Sequence, residues 1–291
     1  MSSLRRSRRG IVLLIVLSMV AAVSAFLISI FYLSSSNFKK TESLRDYTVS
    51  YHAAVSAVKI ALKFLREDNN GYDGVGDDWA KPISYNYRGI FVSINISDEC
   101  GKLNVNRITD KRYYNVAKRL FQNLGVNGEF LDCLKDWIDR DSTPSLYGAE
   151  SYYYESLGYK PSNAPLKSLG EIYYVKGFSE SVVKKLKKYL TVYGSGKINV
   201  NSAPKELLMS LSDRMTEDIA DSIIEARPIK KLEDLREIAG MDKELYYEIL
   251  PLITNRCDFF EIDVTSSYGD STSVVRAFTS RGKILEWKVV E

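Results

Sequence analysis

Arg5-Arg6-Ser7-Arg8-Arg9-Gly10 runs directly into Ile11–Leu33, 23 residues with no charge and no proline. A helix needs about 20 apolar residues to cross a bilayer core, so this run is long enough. Four arginines precede it and no acid does. Positive flanks stay cytoplasmic, which places the rest of the chain across the membrane. A secretory signal has a shorter apolar core, roughly 7–15 residues, followed by a small-residue cleavage site. Here the run is longer, and the small residue, Gly10, comes before it. A cut after Gly10 would remove the arginines and keep the membrane helix. An uncleaved signal anchor fits the same residues, and this stretch alone leaves both open.

Helical periodicity resumes beyond Ser34-Ser35-Ser36-Asn37. Leu44, Tyr47, Tyr51, Ala54, Val58, Ala61 and Leu65 alternate in steps of three and four, forming one apolar seam. Asp68-Asn69-Asn70-Gly71 ends it. A helix from Ile11 to Arg66 would extend roughly 84 Å. Its first half suits lipid and its second half suits a globular domain. Either one continuous helix or two joined at the serines satisfies the pattern.

Residues 71–88, rich in Gly, Asp and Tyr, read as an irregular connection. Gly89–Ile96 alternates and is β-branched, so it reads as a strand. Phe259–Thr265, Ser273–Thr279 and Ile284–Val290 read the same way, separated by turn residues at 267–270 and 281–282. Together they predict one antiparallel sheet, its apolar face covered by the helix seam.

The intervening residues 101–255 read as helical and contain a repeat. Gly101-Lys102-Leu103-Asn104-Val105-Asn106 returns as Gly196-Lys197-Ile198-Asn199-Val200-Asn201. Leu166–Ile172, ending in Val175-Lys176-Gly177, returns as Ile229–Leu235, ending in Ile238-Ala239-Gly240. Each unit opens on an asparagine pair, suited to caps and turns, and closes on a helix–turn–helix. The expected fold class is therefore α+β, a helix on a sheet with a two-unit helical domain inserted between strands.

The longer first unit holds a polar segment: Asp136-Trp137-Ile138-Asp139-Arg140-Asp141, then Gly148-Ala149-Glu150, then Asn163. Calcium takes six to eight oxygens from carboxylates, amides and carbonyls, so this is a candidate calcium site. It lacks the alternating acids and fixed glycine of an EF-hand. The plain alternative is that Asp139 and Asp141 cap helices or pair with Arg140. An acid pair acting on sugars has no sugar-binding context beside it.

Composition narrows the other classes. The hydrophobic fraction, 45%, is enough for a real core. Net charge is +3, but four of the 40 basic residues lie in the leader, and without them 36 basic face 37 acidic. A nucleic-acid binder usually shows a basic excess. Cys100, Cys133 and Cys257 form no C-x-x-C pair, which disfavours zinc. They are expected to be small buried residues rather than a disulfide. The one histidine, His52, lies on the helix and offers no triad. Tyr152-Tyr153-Tyr154 with Tyr147 and Tyr159 are expected to pack their loop, and Lys184–Lys188 to be a solvated helix face.

The Gly10 leader, the 101–106 motif, Asp136–Asp141, Gly148–Glu150 and Ser202-Ala203-Pro204, in this order, resemble the K-type minor pseudopilins of type II secretion systems, also called general secretion pathway protein K. The resemblance covers essentially the whole chain. It implies a type IV pilin-like fold with a helical (helix-hairpin-helix or SAM-like) insertion. The parts would be a leader (1–10), a transmembrane helix (11–33) and its continuation (34–66). The sheet would come from 67–100 and 256–291, and the insert from 101–255, its units 101–195 and 196–255. Prepilin peptidase would cut after Gly10 and methylate the amine of Ile11. Most pilins carry Glu at the fifth mature position; here it is Ile15, and the K-type family resembles this chain in lacking that Glu. A carboxylate buried in lipid is costly unless paired. A subunit with none ahead of it has no partner amine to offer.

The resemblance further implies a non-enzymatic subunit at the pseudopilus tip, priming its assembly and protein export. Its partners would be the I-type and J-type minor pseudopilins and the major pseudopilin. Location would be the bacterial inner membrane, single-pass, with the C-terminal domain in the periplasm. Calcium would bind through Asp136, Asp139, Asp141 and Glu150. The competing reading is a membrane-anchored helix-hairpin-helix protein for DNA uptake, since Ile198–Leu207 opens like such a module. Its hairpin, Leu211–Thr216, lacks the Gly-x-Gly that grips phosphate and adds Asp213. A tethered hydrolase has no nucleophile–base set in the sequence.

Overall fold

The computed structural model describes residues 2–290, with side chains from Gly10 onward. The leader arginines and Met1 thus lie outside the described side chains. The first element, α1 (Ser2–Glu67), is one uninterrupted helix through the serines at 34–36. Its 66 residues extend about 99 Å at 1.5 Å each. Among the described residues, Gly10–Glu67 is the one helix long and apolar enough to cross a membrane, and its apolar window is unburied.

The chain then forms β1 (Ile83–Tyr87), β2 (Ile90–Asp98) and the short β3 (Leu103–Asn104). Helices α2 (Lys111–Asn123), α3 (Glu129–Ile138), α4 (Ser151–Glu155) and α5 (Glu180–Leu186) follow, then β4 (Leu190–Thr191) and β5 (Ile198–Asn199). After α6 (Lys205–Met209), α7 (Glu217–Glu225) and α8 (Lys243–Ile249) come β6 (Ile253–Thr254), β7 (Phe259–Tyr268), β8 (Ser271–Ser280) and β9 (Lys283–Val290). The main sheet has the order β1-β2-β7-β8-β9, and every neighbouring pair is antiparallel.

Strand alternation does what period two requires. Val92, Ile94 and Ile96 of β2 and Phe260, Ile262 and Val264 of β7 turn inward. They meet Ala54, Ala57, Val58, Ala61 and Leu65 of α1 in one core. The small alanines let the helix lie close to the sheet. Two seam residues depart from expectation: Leu44 and Tyr47 are 65% and 46% exposed, because they lie at the N-terminal end of the packed segment. A second departure is β1, which falls in the stretch read as irregular. It is an edge strand with four of its five residues exposed, so it carries no burial pattern to read.

The insertion leaves the sheet after β2 and returns at β7. Both of its units share a single hydrophobic core, from Leu103 to Ile253. Each unit is closed by a parallel two-residue ladder, β3 with β4 and β5 with β6. The repeated asparagines explain the likeness. Asn106 Oδ1 accepts from Leu166 N–H (2.7 Å) and its Nδ2 donates to Leu166 O (2.9 Å). Asn201 does the same to Ile229, at 2.7 and 3.1 Å. In both units the asparagine fastens the start of the helix–turn–helix.

Where insertion and sheet meet, Cys100 and Cys257 form a disulfide with Cα atoms 5.6 Å apart, while Cys133 is free and buried. This corrects the expectation of three unpaired cysteines. β2 and β7 are neighbours, so the two ends of the insertion are brought together across a sequence separation of 157. Beside the bridge lies Asp98, which accepts from the N–H groups of Cys100 and Gly101 and from Asn199 Nδ2 and Ser202 Oγ. Burial pushes its carboxyl up to about 6. Across the sheet, Lys102 pairs with Glu99 and Glu261, and Tyr193 donates to Glu286 while stacking on Phe278.

Candidate functional site

The polar segment of the first unit is built at the end of α3. Leu131, Leu134, Trp137 and Ile138 anchor that helix in the core. Asp139, immediately after it, is extended, so the chain leaves the helix and turns back over the surface. The Asp141 carboxylate accepts from Thr143 N–H (2.8 Å), closing a local turn. Glu150 occupies the position before α4 with extended backbone, yet its side chain makes no cap. Asn163 is in the left-handed region, with φ 44°.

These residues converge. Asp139, Asp141 and Glu150 each offer a carboxylate oxygen, and the three atoms lie within 4.8 Å of one another. Asp139 Oδ1, both Glu150 oxygens and Asn163 Oδ1 are buried and have no hydrogen-bond partner among the described residues. Buried acceptors are normally satisfied, and leaving them bare costs about 1–3 kcal/mol each. Burial and the surrounding acids raise the Asp139 carboxyl above its usual range and push Glu150 up to about 6. Several bare oxygens around one point fit a hard cation such as calcium. The plain alternative loses ground: Asp139 and Asp141 make no ion pair with Arg140 among the described residues.

Asp136 stands apart from this set. It is fully buried on α3, and its carboxylate accepts from Ser145 N–H (2.9 Å) and Ser145 Oγ (2.6 Å). It holds the loop, and the carboxylate oxygens that lie together are those of Asp139, Asp141 and Glu150. Gly148 is required by the same contact, since a Cβ there would lie 1.7 Å from Asp136 Oδ2. Asn163, 13 residues beyond Glu150, lies against the same loop, its Nδ2 donating to Asp141 O at 3.4 Å.

Beneath the loop the tyrosines divide. Tyr154 is fully buried against Trp137, their rings 4.8 Å apart, and Tyr159 Oη donates to Tyr174 O. Tyr152 is 93% exposed. The lysines of 184–188 point to solvent around buried Leu186, and His52 is exposed on α1. The stretch 211–216, where a DNA-gripping hairpin would lie, is docked on α2. Arg119 donates to Ser210 O (2.7 Å) and Leu211 O (2.9 Å) and reaches Asp213 (3.3 Å). Ile11 and Ile15, the positions expected to matter for processing, lie on α1 and are 57% and 48% exposed.

Family models described as type II secretion system protein K match residues 101–195 and 198–244, one on each unit of the insertion. Among curated relatives, type II secretion system protein K of Pectobacterium carotovorum is 26% identical over 77% of this chain and 77% of its own length. That of Dickeya chrysanthemi is 29% identical over 53% of this chain, and the chain spans 46% of its length. A solved structure, the GspK-GspI-GspJ complex of enterotoxigenic Escherichia coli, contains a chain that superposes with TM-score 0.74 at 17% identity, covering 87% of this chain and 99% of that one. It shares the long N-terminal helix, antiparallel sheet and helical insertion, which is a likeness of fold. With its ordered motifs and its two matched units, the chain is similar to the type II secretion system protein K family across both units of the insertion.

Proposed function

We propose that this chain is a minor pseudopilin at the tip of a type II secretion pseudopilus, where it primes assembly and supports protein export across the outer membrane. The observation that carries this is the combination of an unburied apolar helix with a pilin-like sheet and both protein K units on one chain. The role is structural. The helix holds the subunit in the inner membrane until assembly, and the globular part stands in the periplasm. The expected partners are I-type and J-type minor pseudopilins, which the related GspK contacts in its complex, and the major pseudopilin below them. Ile15 supports a terminal position, since no carboxylate there needs a neighbour's amine.

The proposed cation is calcium, held by Asp139, Asp141, Glu150 and the Asn163 amide oxygen. It would neutralise the clustered acids and tie the 139–163 loop to the core. Prepilin peptidase is expected to cut after Gly10 and methylate Ile11. Co-expression with that peptidase followed by N-terminal sequencing tests the reading: a mature chain beginning at Ile11 supports it. A chain still beginning at Met1, or cut beyond the apolar run, overturns it. Co-purification with I-type and J-type subunits tests the assembly role separately.

A further inference from the structure

The hairpin between β1 and β2 closes through two residues, Arg88 and Gly89, with φ 51° and 81°. That is the backbone of a type I′ turn, which Asn, Asp or Gly normally supply. An arginine is held there against its intrinsic preference. The residues beside it are large and uncovered: Tyr87 is 60% and Phe91 43% exposed. They stand on opposite faces of the sheet. Tyr87 pairs with Ile90, and Phe91 is the next residue along, paired with Asn86. The Arg88 guanidinium lies 5.2 Å over the Tyr87 ring.

The position of this tip is set by register. Phe91 faces Ser267 on β7, and the adjacent turn meets α1: Ser271 Oγ donates to Ser43 O, and Arg45 lies over the Tyr268 ring. The tip is therefore level with Ser43–Arg45, ten residues or about 15 Å beyond Leu33 along the helix. Headgroups occupy roughly the first 5–8 Å outside the hydrocarbon. The remaining gap is about one screening length. Lys39, Lys40 and exposed Phe38 line the helix across that gap.

We propose that the hairpin tip Tyr87-Arg88-Gly89-Ile90-Phe91 is a membrane-surface contact that seats the globular part on anionic phospholipid headgroups while α1 is in the bilayer. Arg88 at the tip lies within about a screening length of the headgroup charge, and Lys39, Lys40 and Phe38 approach the same layer from the helix. Tyrosine and phenylalanine beside a cation suit that layer, where aromatic rings collect and basic side chains meet acidic lipid. The inference rests on α1 being the membrane anchor.

The test uses the full chain in nanodiscs of phosphatidylcholine or of phosphatidylglycerol mixed with phosphatidylethanolamine, with hydrogen exchange read at residues 84–92. The anionic discs should slow exchange at the tip by about fivefold relative to phosphatidylcholine, the contribution of roughly one basic side chain near a charged surface. Arg88→Gly suits the turn better, so it should raise the melting temperature in detergent while losing the lipid-dependent protection. Arg88→Glu should lose it as well. Equal exchange in the two kinds of disc, or protection retained in both variants, overturns the proposal. Protection that appears in detergent when partner pseudopilins are added assigns the tip to protein and also overturns it. Failure of the chain to integrate into discs at all would instead remove the anchor reading on which this rests.

Discussion

Asn201 holds both backbone groups of Ile229, accepting from its N–H at 2.7 Å and donating to its carbonyl at 3.1 Å. Asn201 is fully buried and Ile229 nearly so. Without the amide, two buried backbone groups lose their partners. Asn201→Ala is expected to lower stability by about 2–4 kcal/mol, measured by chemical denaturation. Asn106→Ala should act likewise on the first unit. A variant as stable as the parent would show that the clasp is incidental.

The disulfide gives a second prediction. Denaturation without reductant should expose one titratable thiol, Cys133, and reduction should raise the count to three. A bridge closing a loop of this length contributes up to about 5 kcal/mol through the unfolded state. Cys257→Ser should therefore melt well below the parent under oxidising conditions and at about the temperature of the reduced parent.

Calcium should stabilise the chain and release the repulsion among Asp139, Asp141 and Glu150. At a hundredfold excess over the dissociation constant the gain is about 2.7 kcal/mol, visible as a rise in melting temperature with heat in calorimetry. Asp139→Ala should abolish both signals. Glu150→Gln should abolish the calcium response while leaving the metal-free chain no less stable, because one of the crowded charges is gone. A parent chain that shows neither heat nor shift would end the calcium proposal.

Asp98 sets a pH dependence. Its folded carboxyl titrates at about 6 against 3.8 for an ordinary aspartate. A raised acid favours folding when protonated. Its contribution is complete below about pH 4 and is lost as pH rises through about 6, on the order of 3 kcal/mol. Asp98→Asn should flatten that part of the stability profile, read as melting temperature against pH in parent and variant. A parent-like slope in the variant would place the dependence elsewhere.

How much was legible follows from how local each cause is. The helix seam from Tyr51 to Leu65 and the alternation of β2, β7 and β8 are periodic burial patterns, and periodicity is written in neighbouring residues. The edge strand β1 escaped because nothing covers its residues. The motif Asp136–Asp141 marked the loop where acids gather but not the surroundings of each, since Asp136 and Asp139 differ only in which partner the folded loop brings to each.

By itself the sequence determined the long apolar helix, the sheet, the repeat and the likeness to the protein K family, each of which depends on apolar patterning or on short motifs read in order. Only the tertiary structure decided the bond between Cys100 and Cys257 and the hydrogen bond from Asn163 Nδ2 to Asp141 O. Both join residues that are distant in the chain. The insertion departs from β2 and returns to its neighbour β7, so the sheet brings its two ends together. The left-handed turn at Asn163 goes with an amide that reaches the Asp141 carbonyl. Spacing along the chain carries no record of either.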